Sequence, residues 1–326
     1  MHAIEVVETG GPEVLRYVDK PQPSPCHGEL LIKTEAIGVN FIDTYFRSGQ
    51  YPRPVPFILG SEVCGTVVAT GEGTDINGVG VGDRVVSATA NGGYAEFATA
   101  PAFLTAKVPD GVTSEMAASV LLKGLTAHYL IKSVYVVRNS DTVLVHAGAG
   151  GVGLILTQWA THLGARVITT VSNAEKARLS KAAGADEVLS YPDDDAQFGQ
   201  QIRALTGGAG VAAVYDGVGA TTFDASLASL AIRGTLALFG AASGPVAPVD
   251  PQRLNAAGSI YLTRPTLAHF IRTGEEFNWR ANELFNAISR EAVSIKVSGR
   301  YPLSDAARAH EDLQARKTIG SVVLLP

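Results

Sequence analysis

The sequence predicts an α/β protein in which a doubly wound parallel sheet follows a smaller, mostly antiparallel β domain. The chain has 326 residues, more than the roughly 250–300 at which a single core usually stops growing, so two domains are expected. Its first hundred residues alternate short apolar runs with turns, as in an antiparallel sheet. After about residue 140, strand-like and helix-like segments alternate, which is typical of a parallel sheet covered by helices.

The antiparallel region is predicted from five runs that are separated by Gly, Pro and Asn: "EVLRYVDK", "ELLIKTEAIGV", "GTVVAT", "DRVVSAT" and "YAEFATA". The segment "PQPSP" reads as a stiff exposed turn, and the neighbouring His27 as a solvated residue. A helical pattern then runs from Glu115 to about Val137.

The parallel region is predicted from six strands: "DTVLV", "ARVITTV", "DEVLSY", "AAVYDGVG", "GTLALFG" and "SIYLTR". Near the end of the chain, Ser304 is placed to cap a helix over Asp305 to Arg316. The closing "SVVLLP" reads as a last strand, and its return to the first domain would make that domain discontinuous.

Composition excludes several classes of protein. Hydrophobic residues make up 46% of the chain, the formal charge is −5, and there are two cysteines. No basic patch suits a nucleic acid, and two cysteines do not form a disulfide framework. No run of about 18 apolar residues predicts a membrane span, and the N-terminus does not resemble a signal peptide. We therefore expect a soluble, cytoplasmic protein that binds neither nucleic acid nor membrane.

A glycine-rich turn is the clearest motif. Gly148, Gly150 and Gly153 form G-x-G-x-x-G between an apolar strand and a helix, the context that a dinucleotide-binding turn requires. The N-terminus of the following helix offers N–H groups and a partial positive charge to a pyrophosphate. The alternative is a glycine turn that binds no ligand.

The next strand predicts which dinucleotide is bound. It ends in "TTVSNAEK" without the acid that usually binds the ribose hydroxyls of NAD. Ser172, Asn173 and Lys176 instead suit a 2′-phosphate, which favours NADPH over NADH. A second interpretation, compatible with the first, is that Ser172 and Glu175 form a capping box and Lys176 is an exposed helix residue.

These motifs resemble a known family. The segments "GGPEVL", "AIGVNFIDTYFRSGQYP", "LLKGLTAHYL", "HAGAGGVGL", "YLTRP" and "GSVVLLP" are similar to those of the zinc-independent quinone oxidoreductases. That family is the ζ-crystallin-like branch of the medium-chain dehydrogenases/reductases. The resemblance covers nearly the whole chain, and "NFIDTY" is its most specific segment.

The resemblance implies a discontinuous GroES-like domain over 1–122 and 267–326, a Rossmann NADPH-binding domain over 123–266, an active site in the cleft between them, and a homodimer. It also implies further cofactor contacts beside the glycine turn. These are Phe41, Ile42, Asp43, Thr44, Tyr45, Tyr129, Gly151, Val152, Ser172, Asn173, Lys176, Tyr191, Phe239, Gly240, Arg264 and Arg316.

No metal is expected, although Glu62 and Cys64 stand two residues apart in "LGSEVCG". Ser61 takes the position where zinc-dependent relatives have a His ligand, and the segment with Asn40 has no thiol where they have a Cys. Catalytic zinc needs about three protein ligands. Cys64 is therefore interpreted as a small buried hydrophobe and Glu62 as a hydrogen-bond acceptor.

The expected reaction is reduction of a quinone by NADPH without metal or flavin, since solvent can protonate the reduced oxygens. Asn40, Tyr45 and Tyr51 are the candidate catalytic residues. For the two tyrosines the alternative is ordinary packing. His128, His146, His162 and His269 lack ligand spacing and read as packing or surface residues. The alternative functions are an NADPH-dependent reductase of activated C=C bonds, and an NADPH- or RNA-binding protein without required turnover.

Overall fold

The computed structural model describes residues 1–74 and 78–326. The strands are β1 (His2–Val6), β2 (Leu15–Asp19), β3 (Glu29–Val39), β4 (Phe57–Ile58), β5 (Glu62–Thr70), β6 (Arg84–Ser87), β7 (Phe97–Pro101), β8 (Thr105–Lys107), β9 (Thr142–Val145), β10 (Arg166–Val171), β11 (Glu187–Ser190), β12 (Val211–Asp216), β13 (Leu230–Leu238), β14 (Tyr261–Thr263), β15 (Val297–Pro302) and β16 (Ser321–Leu325). The α-helices are α1 (Phe41–Ser48), α2 (Ser114–Tyr129), α3 (Gly151–His162), α4 (Ala174–Ala182), α5 (Asp195–Leu205), α6 (Phe223–Ser229), α7 (Pro251–Ala256), α8 (Gly274–Ser289) and α9 (Ala306–Gln314).

The chain divides into two compact units. Unit 1 comprises Met1–Leu125, Ile271–Phe285 and Ile295–Pro326, and unit 2 comprises Thr126–Phe270 and Asn286–Ser294. Unit 1 is thus built from three separate stretches of the sequence. Its discontinuity follows from strand pairing, because β16 near the end of the chain pairs antiparallel with β3.

Unit 1 is mostly antiparallel. One of its sheets has the order β15-β16-β3-β5-β6-β8, with β7 also pairing β3, and a smaller sheet has the order β2-β1-β4. Long β3 is the centre of the larger sheet, and its Leu30 and Ile32 side chains belong to the hydrophobic core of the unit. Burial of this apolar face is the main contribution to the stability of the unit.

Unit 2 contains a six-stranded parallel sheet with the order β11-β10-β9-β12-β13-β14. Its central strands are apolar on both faces, as expected for a sheet with helices on each side. Leu144, Ile168, Val214 and Leu236 belong to its core. The order reverses direction beside β9, and the carboxyl ends on both sides of such a reversal are where α/β proteins bind ligands. The predicted fold class is confirmed.

Two predicted helix boundaries are wrong at their N-termini. The cap of α4 is Asn173, whose side chain accepts from the Lys176 amide over 2.9 Å, so Ser172 does not form the predicted capping box. The tail helix α9 begins at Ala306 after a 3-10 turn over Leu303–Asp305, so Ser304 does not cap it. Leu303 is buried, and inserting this apolar side chain into the core favours the tighter turn at the position of the predicted cap.

Two C-terminal boundaries also differ from the prediction. The helical pattern from Glu115 to Val137 is regular only to Tyr129 and continues as a π-helical turn over Leu130–Val134. Helix α9 ends at Gln314, and Arg316 has a left-handed backbone with φ of 57°. Periodicity predicts where apolar residues face the core, but it does not detect such changes of helical hydrogen bonding.

No helix within residues 1–74 and 78–326 is both long enough and apolar enough to cross a membrane.

Candidate active site

The glycine-rich turn joins β9 to α3 in unit 2. A Cβ atom added at Gly153 would lie 2.2 Å from the Ala147 carbonyl oxygen, and one at Gly148 would lie 2.5 Å from Cβ of Thr169. Only glycine fits at these two positions. A Cβ atom at Gly150 would meet only Ala147 within 4 Å, with its oxygen 3.2 Å away. The middle glycine therefore opens onto space through which a phosphate can reach the backbone.

The start of α3 is suited to an anion. Gly150 is the N-cap residue, no side chain caps this end, and the first turn carries no acidic residue. The amide N–H groups of the first turn and the helix dipole therefore point at the space beside Gly150 without a competing acceptor from a cap. The turn and the helix together fit the pyrophosphate of a dinucleotide.

Five of the predicted cofactor residues of unit 2 lie at the carboxyl-terminal end of the parallel sheet. Each follows the carboxyl end of a different strand: Gly148 follows β9, Ser172 follows β10, Tyr191 follows β11, Phe239 follows β13 and Arg264 follows β14. Since neighbouring parallel strands end at the same edge, the fold brings these positions together although they span 117 positions of the sequence.

The edge at β10 and β11 has the polarity expected for a ribose phosphate. Val171 and Ser190 are paired across the two strands, so Ser172 and Tyr191 begin adjacent loops. Ser172 and Asn173 are exposed, and Lys176 is half-buried in the first turn of α4. No acid follows β10 directly. The positive N-terminus of α4 and the Lys176 ammonium lie in the same turn, which suits a phosphate.

A buried polar network lies beneath this edge, and sequence analysis missed it. His146 Nδ1 lies 2.8 Å from the hydroxyl of Thr170, and Nε2 lies 3.0 Å from that of Ser226. Ser226 donates to the Asp216 carboxylate over 2.8 Å. Burial lowers the pKa of His146, so the imidazole is neutral. The interpretation of His146 as a simple packing residue is incomplete, because the network ties the ends of β9, β10 and β12 together.

Asp216 extends this network into the following loop. Its carboxylate accepts from the amides of Val218 and Gly219 over 2.8 and 3.0 Å and from the Thr222 hydroxyl over 2.9 Å. Four donors satisfy the buried carboxylate without a cation. The loop after β12 is therefore held against Gly240, where an added Cβ atom would lie 2.5 Å from the Gly217 oxygen.

Asn40 is the predicted catalytic residue of unit 1 that makes hydrogen bonds to two buried carboxylates. It is buried at the N-cap of α1, directly after β3. Its side-chain Nδ2 donates to Glu62 Oε2 over 2.8 Å, and its backbone N–H donates to Asp43 Oδ2 over 2.8 Å. Two carboxylates thus fix both the amide plane and the start of the helix. The orientation of Asn40 is set before any ligand arrives.

Glu62 forms a buried charged cluster with Asn40 and Lys123. Its second oxygen, Oε1, accepts from the Leu122 amide over 2.7 Å, and the Lys123 ammonium lies 3.7 Å from Oε2. Burial raises the pKa of the Glu62 carboxyl, while Lys123 and the hydrogen bonds act in the opposite direction. The predicted acceptor role of Glu62 is confirmed, and Lys123 was not identified from the sequence.

Asp43 lies in a second buried cluster on α1. Tyr94 donates to Asp43 Oδ2 over 2.9 Å, and the Tyr94 oxygen lies 3.0 Å from His310 Nε2. Burial raises the pKa of Asp43 to about 7, although the hydrogen bonds from Asn40 and Tyr94 oppose the shift. The carboxyl is therefore poised to change charge near neutral pH.

The predicted tyrosines form one aromatic group. The rings of Tyr45 and Tyr51 are tilted with centroids 5.2 Å apart, and Phe41 and Phe46 each flank one of them. The Tyr51 amide also donates to the Tyr45 carbonyl over 3.0 Å. Tyr45 is buried and Tyr51 is half-buried. These contacts agree with the packing role that is the alternative for the two tyrosines.

The remaining predicted residues are distributed over both units. On α1, Ile42 is half-buried and Thr44 is buried; in unit 1 the exposed Arg316 follows α9. In unit 2, Gly151 and Val152 begin α3, and the Tyr129 ring stacks on Phe270 with centroids 4.4 Å apart.

Cys64 is fully buried on β5, and burial raises the pKa of its thiol to about 12. Its predicted role as a small buried hydrophobe is confirmed. Among residues 1–74 and 78–326, no group of three or more His, Cys, Asp or Glu side chains is placed to hold a metal ion. The expectation of a metal-free site stays a prediction.

Comparison with known families and proteins agrees with this architecture. The Alcohol dehydrogenase GroES-like domain family matches residues 26–110, and the Zinc-binding dehydrogenase family matches residues 151–287. The quinone oxidoreductase of Pseudomonas aeruginosa is 45% identical over 325 residues, covering 99% of each chain. The 2-haloacrylate reductase of a Burkholderia species is 38% identical, covering 99% of this chain and 98% of that protein.

A solved structure is similar along its whole length. It is a mycobacterial protein complexed with NADPH, 78% identical, with a TM-score of 0.99 and coverage of 100% of both chains. The resemblance predicted from the sequence is confirmed. The chain has a GroES-like segment, a parallel sheet with a glycine-rich turn after β9, and relatives that match it along its full length. It therefore belongs to the quinone oxidoreductases of the medium-chain dehydrogenase/reductase superfamily.

Proposed function

We propose that this protein is an NADPH-dependent quinone reductase that acts without metal or flavin. The observation that carries the proposal is the 45% identity to a curated quinone oxidoreductase over 99% of both chains. The mycobacterial protein complexed with NADPH, 78% identical over its whole length, supports the choice of cofactor.

Unit 2 supplies the groups that would hold NADPH. Gly150 and the first turn of α3 bind the pyrophosphate through backbone N–H groups. Lys176 binds the 2′-phosphate as a charge-assisted donor, and Ser172 and Asn173 complete that end. We assign the same role to residues that contribute backbone, stacking or charge: Gly148, Gly151, Val152, Gly153, Tyr129, Tyr191, Phe239, Gly240 and Arg264.

Unit 1 supplies Asn40, Tyr45 and Tyr51 as the proposed catalytic residues. Asn40 is held by Glu62, so its amide meets a ligand in one orientation. The Tyr45–Tyr51 pair offers a flat apolar surface suited to a quinone ring. Phe41, Ile42, Asp43, Thr44 and Arg316 are assigned to the cofactor.

Bound NADPH supplies a hydride, which is the reducing chemistry that the side chains lack. The chain orients the acceptor and limits its freedom, which alone accounts for a large part of many rate enhancements. A quinone takes up electrons readily, and water protonates its reduced oxygens. No side chain is therefore required as a strong acid in this proposal.

The assignment of roles follows the domain boundaries expected from the sequence. We propose that residues 1–122 with 267–326 form the catalytic domain and that 123–266 form the NADPH-binding domain. We also propose a cytoplasmic homodimer. Strand β14 is at the edge of the parallel sheet, Tyr261 on it is 62% exposed and nearby Ile232 is 78% exposed. Such an apolar edge is best protected by pairing with a second copy. Light scattering that gives only the 34.0 kDa chain at micromolar concentration would reject the dimer.

A second candidate is the reduction of activated C=C bonds. The 38% identity to a 2-haloacrylate reductase is the observation that favours it. This reaction needs the same hydride and also a proton at carbon. Steady-state NADPH oxidation with a series of quinones, enones and 2-haloacrylate separates the two. We expect the highest kcat/KM for quinones, and a preference for the C=C substrates would move the assignment to the second candidate.

A further inference from the structure

Four buried side chains of unit 1 form a continuous hydrogen-bonded chain, and only one of them, Asp43, has a place in the proposed reaction, as a cofactor residue. Arg47 and His310 are joined by a 3.1 Å contact, His310 and Tyr94 by one of 3.0 Å, and Tyr94 and Asp43 by one of 2.9 Å. All four residues are at most 1% exposed. This hydrogen-bonded chain leaves α1 at Arg47, passes through His310 on α9 and through Tyr94, and returns at Asp43 to the first turn of α1, whose N-cap residue is Asn40.

The direction of every hydrogen bond in this chain is fixed by chemistry. A guanidinium only donates, so His310 Nδ1 must accept from Arg47. Burial and the nearby Arg47 charge lower the pKa of His310 to about 3, so the imidazole is neutral and carries its proton on Nε2. His310 therefore donates to the Tyr94 oxygen. The Tyr94 proton is then left for Asp43 Oδ2, and burial raises the pKa of Tyr94 so far that this proton is retained.

The hydrogen-bonded chain ends at Asp43, in the first turn of α1. Asp43 Oδ2 accepts from Tyr94 and also from the backbone N–H of Asn40 over 2.8 Å. The position of this one oxygen thus determines the position of the Asn40 backbone. At the other end, Arg47 is held by the Gly10 carbonyl over 3.1 Å and by Gln314 over 2.9 Å. Neither end of the chain can move without breaking buried hydrogen bonds, which is costly.

We propose that Tyr94 and His310 are positioning residues for the reaction: through Asp43 they hold the start of α1, and with it Asn40, in the working geometry. The inference rests on the proposed function, because the working geometry is that of hydride transfer to an acceptor beside Asn40. It adds two residues that lie 216 positions apart in the sequence and contact no proposed ligand.

The ionised form of Asp43 is the one that the chain of donors favours. Two donors converge on Oδ2, and each holds a negative oxygen more strongly than a protonated carboxyl. The other charged groups that act on Asp43 come from neighbouring elements: the Lys123 ammonium on α2 lowers its pKa, and the Glu62 carboxylate on β5 raises it. Loss of the Tyr94 donor therefore moves Asp43 protonation to higher pH.

The decisive variant is Tyr94→Phe, which removes one hydroxyl from the middle of the chain. The matched control is Tyr301→Phe in the same unit, since the Tyr301 hydroxyl also donates to an aspartate, Asp312, over 2.8 Å. We expect Tyr94→Phe to lower kcat/KM for the quinone by about tenfold or more, the effect of one hydrogen bond to a charged group. The acid limb of its pH profile should move to higher pH. Tyr301→Phe should change neither.

His310 provides a rescue test. His310→Gln retains a side-chain N–H near the position of Nε2, whereas His310→Leu removes it. We expect the Gln variant to keep much of the wild-type kcat/KM and an acid limb at the wild-type pH. The Leu variant should keep neither, although its melting temperature is comparable. Equal losses in both variants, or a Tyr94→Phe profile that overlays the wild type, would overturn the inference.

A measurement on the cofactor-free protein separates this inference from the proposed function. The ¹⁵N chemical shifts of His310 should show an unprotonated Nδ1 and a protonated Nε2 that persist across neutral pH. The opposite tautomer, or a cationic ring at neutral pH, would show that the hydrogen-bonded chain does not form as proposed, whatever the activity of the protein. If the ¹⁵N shifts show the hydrogen-bonded chain intact but the protein reduces no quinone, the result would instead count against the proposed function.

Discussion

Asn40 Nδ2 donates to Glu62 Oε2 over 2.8 Å, and both side chains are buried in unit 1. The amide cannot turn without leaving a buried carboxylate short of a donor. Lys123 lies 3.7 Å from the same oxygen and supplies the nearest positive charge. The neutral Asn40 amide and the Lys123 ammonium therefore share the Glu62 carboxylate near the start of α1. Their two interactions with Glu62 determine the net charge of this part of the site.

We expect Glu62→Gln to destabilise the protein by about 3 kcal/mol, because it leaves the Lys123 ammonium buried without its counter-ion. The double variant Glu62→Gln with Lys123→Met should recover most of this loss. Chemical denaturation measures both. Glu115→Gln is the control, since its partner Arg300 is half-exposed and the pair should contribute little. If Glu62→Gln alone were as stable as the wild type, the charges of Glu62 and Lys123 would not be energetically coupled.

Two glycines of the turn, Gly153 and Gly150, should respond differently to an added side chain. Gly153→Ala brings a Cβ atom 2.2 Å from the Ala147 oxygen, so the variant should be markedly less stable. Gly150→Val should instead retain most of its stability and lose NADPH binding, because the added atoms fill the space beside the helix N-terminus. Thermal melts and fluorescence titration with NADPH test the pair. Gly80→Ala, where an added Cβ atom meets nothing within 4 Å, is the control. Normal NADPH affinity in Gly150→Val would argue against this phosphate site.

Lys176→Ala should weaken NADPH binding by about 1–3 kcal/mol and leave NADH binding nearly unchanged, because only NADPH carries the 2′-phosphate to which we assign the ammonium. Titration with both dinucleotides measures the difference. Lys181→Ala on the same helix is the matched control, since Lys181 donates to the Asp186 carbonyl instead. Equal losses for the two dinucleotides in Lys176→Ala would contradict the assignment.

Asp43 should make the stability of the protein depend on pH. Its pKa is raised from 3.8 to about 7 on folding, so the folded state binds the proton more tightly than the unfolded state. The resulting stabilisation is complete below about pH 4 and is lost as pH rises through about 7. Between about pH 4 and 7, the free energy of unfolding should fall more steeply with rising pH in the wild type than in Asp43→Asn. Parallel curves for the two proteins would show that Asp43 does not titrate in this range.

Local patterns in the sequence predict much of the fold. The apolar strands, the Gly148–Gly153 turn and the helix after it are encoded within a few neighbouring residues. The strand-end positions of Ser172 and Tyr191 follow from the same periodicity. The absence of an acid after β10 is equally local, and it indicates the choice of dinucleotide.

The buried polar clusters could not be predicted in this way. Lys123 and Glu62 are 61 positions apart, and Tyr94 and His310 are 216 apart. Such pairs have no periodic signal, because each is set by the register of several strands and by the packing of a helix on a sheet. His146 illustrates the difficulty: its spacing excludes a metal site, but only the structure joins it to Asp216 through Ser226.

The central claim is hydride transfer from NADPH to a quinone without metal or flavin. Its most direct test is the loss of NADPH absorbance in stopped flow, using chelator-treated, flavin-free protein and NADPH deuterated at the transferred position. We predict rapid, quinone-dependent oxidation that deuterium slows. A protein that binds NADPH but oxidises it only with enones or 2-haloacrylate, or only after a metal or flavin is added, would contradict the claim.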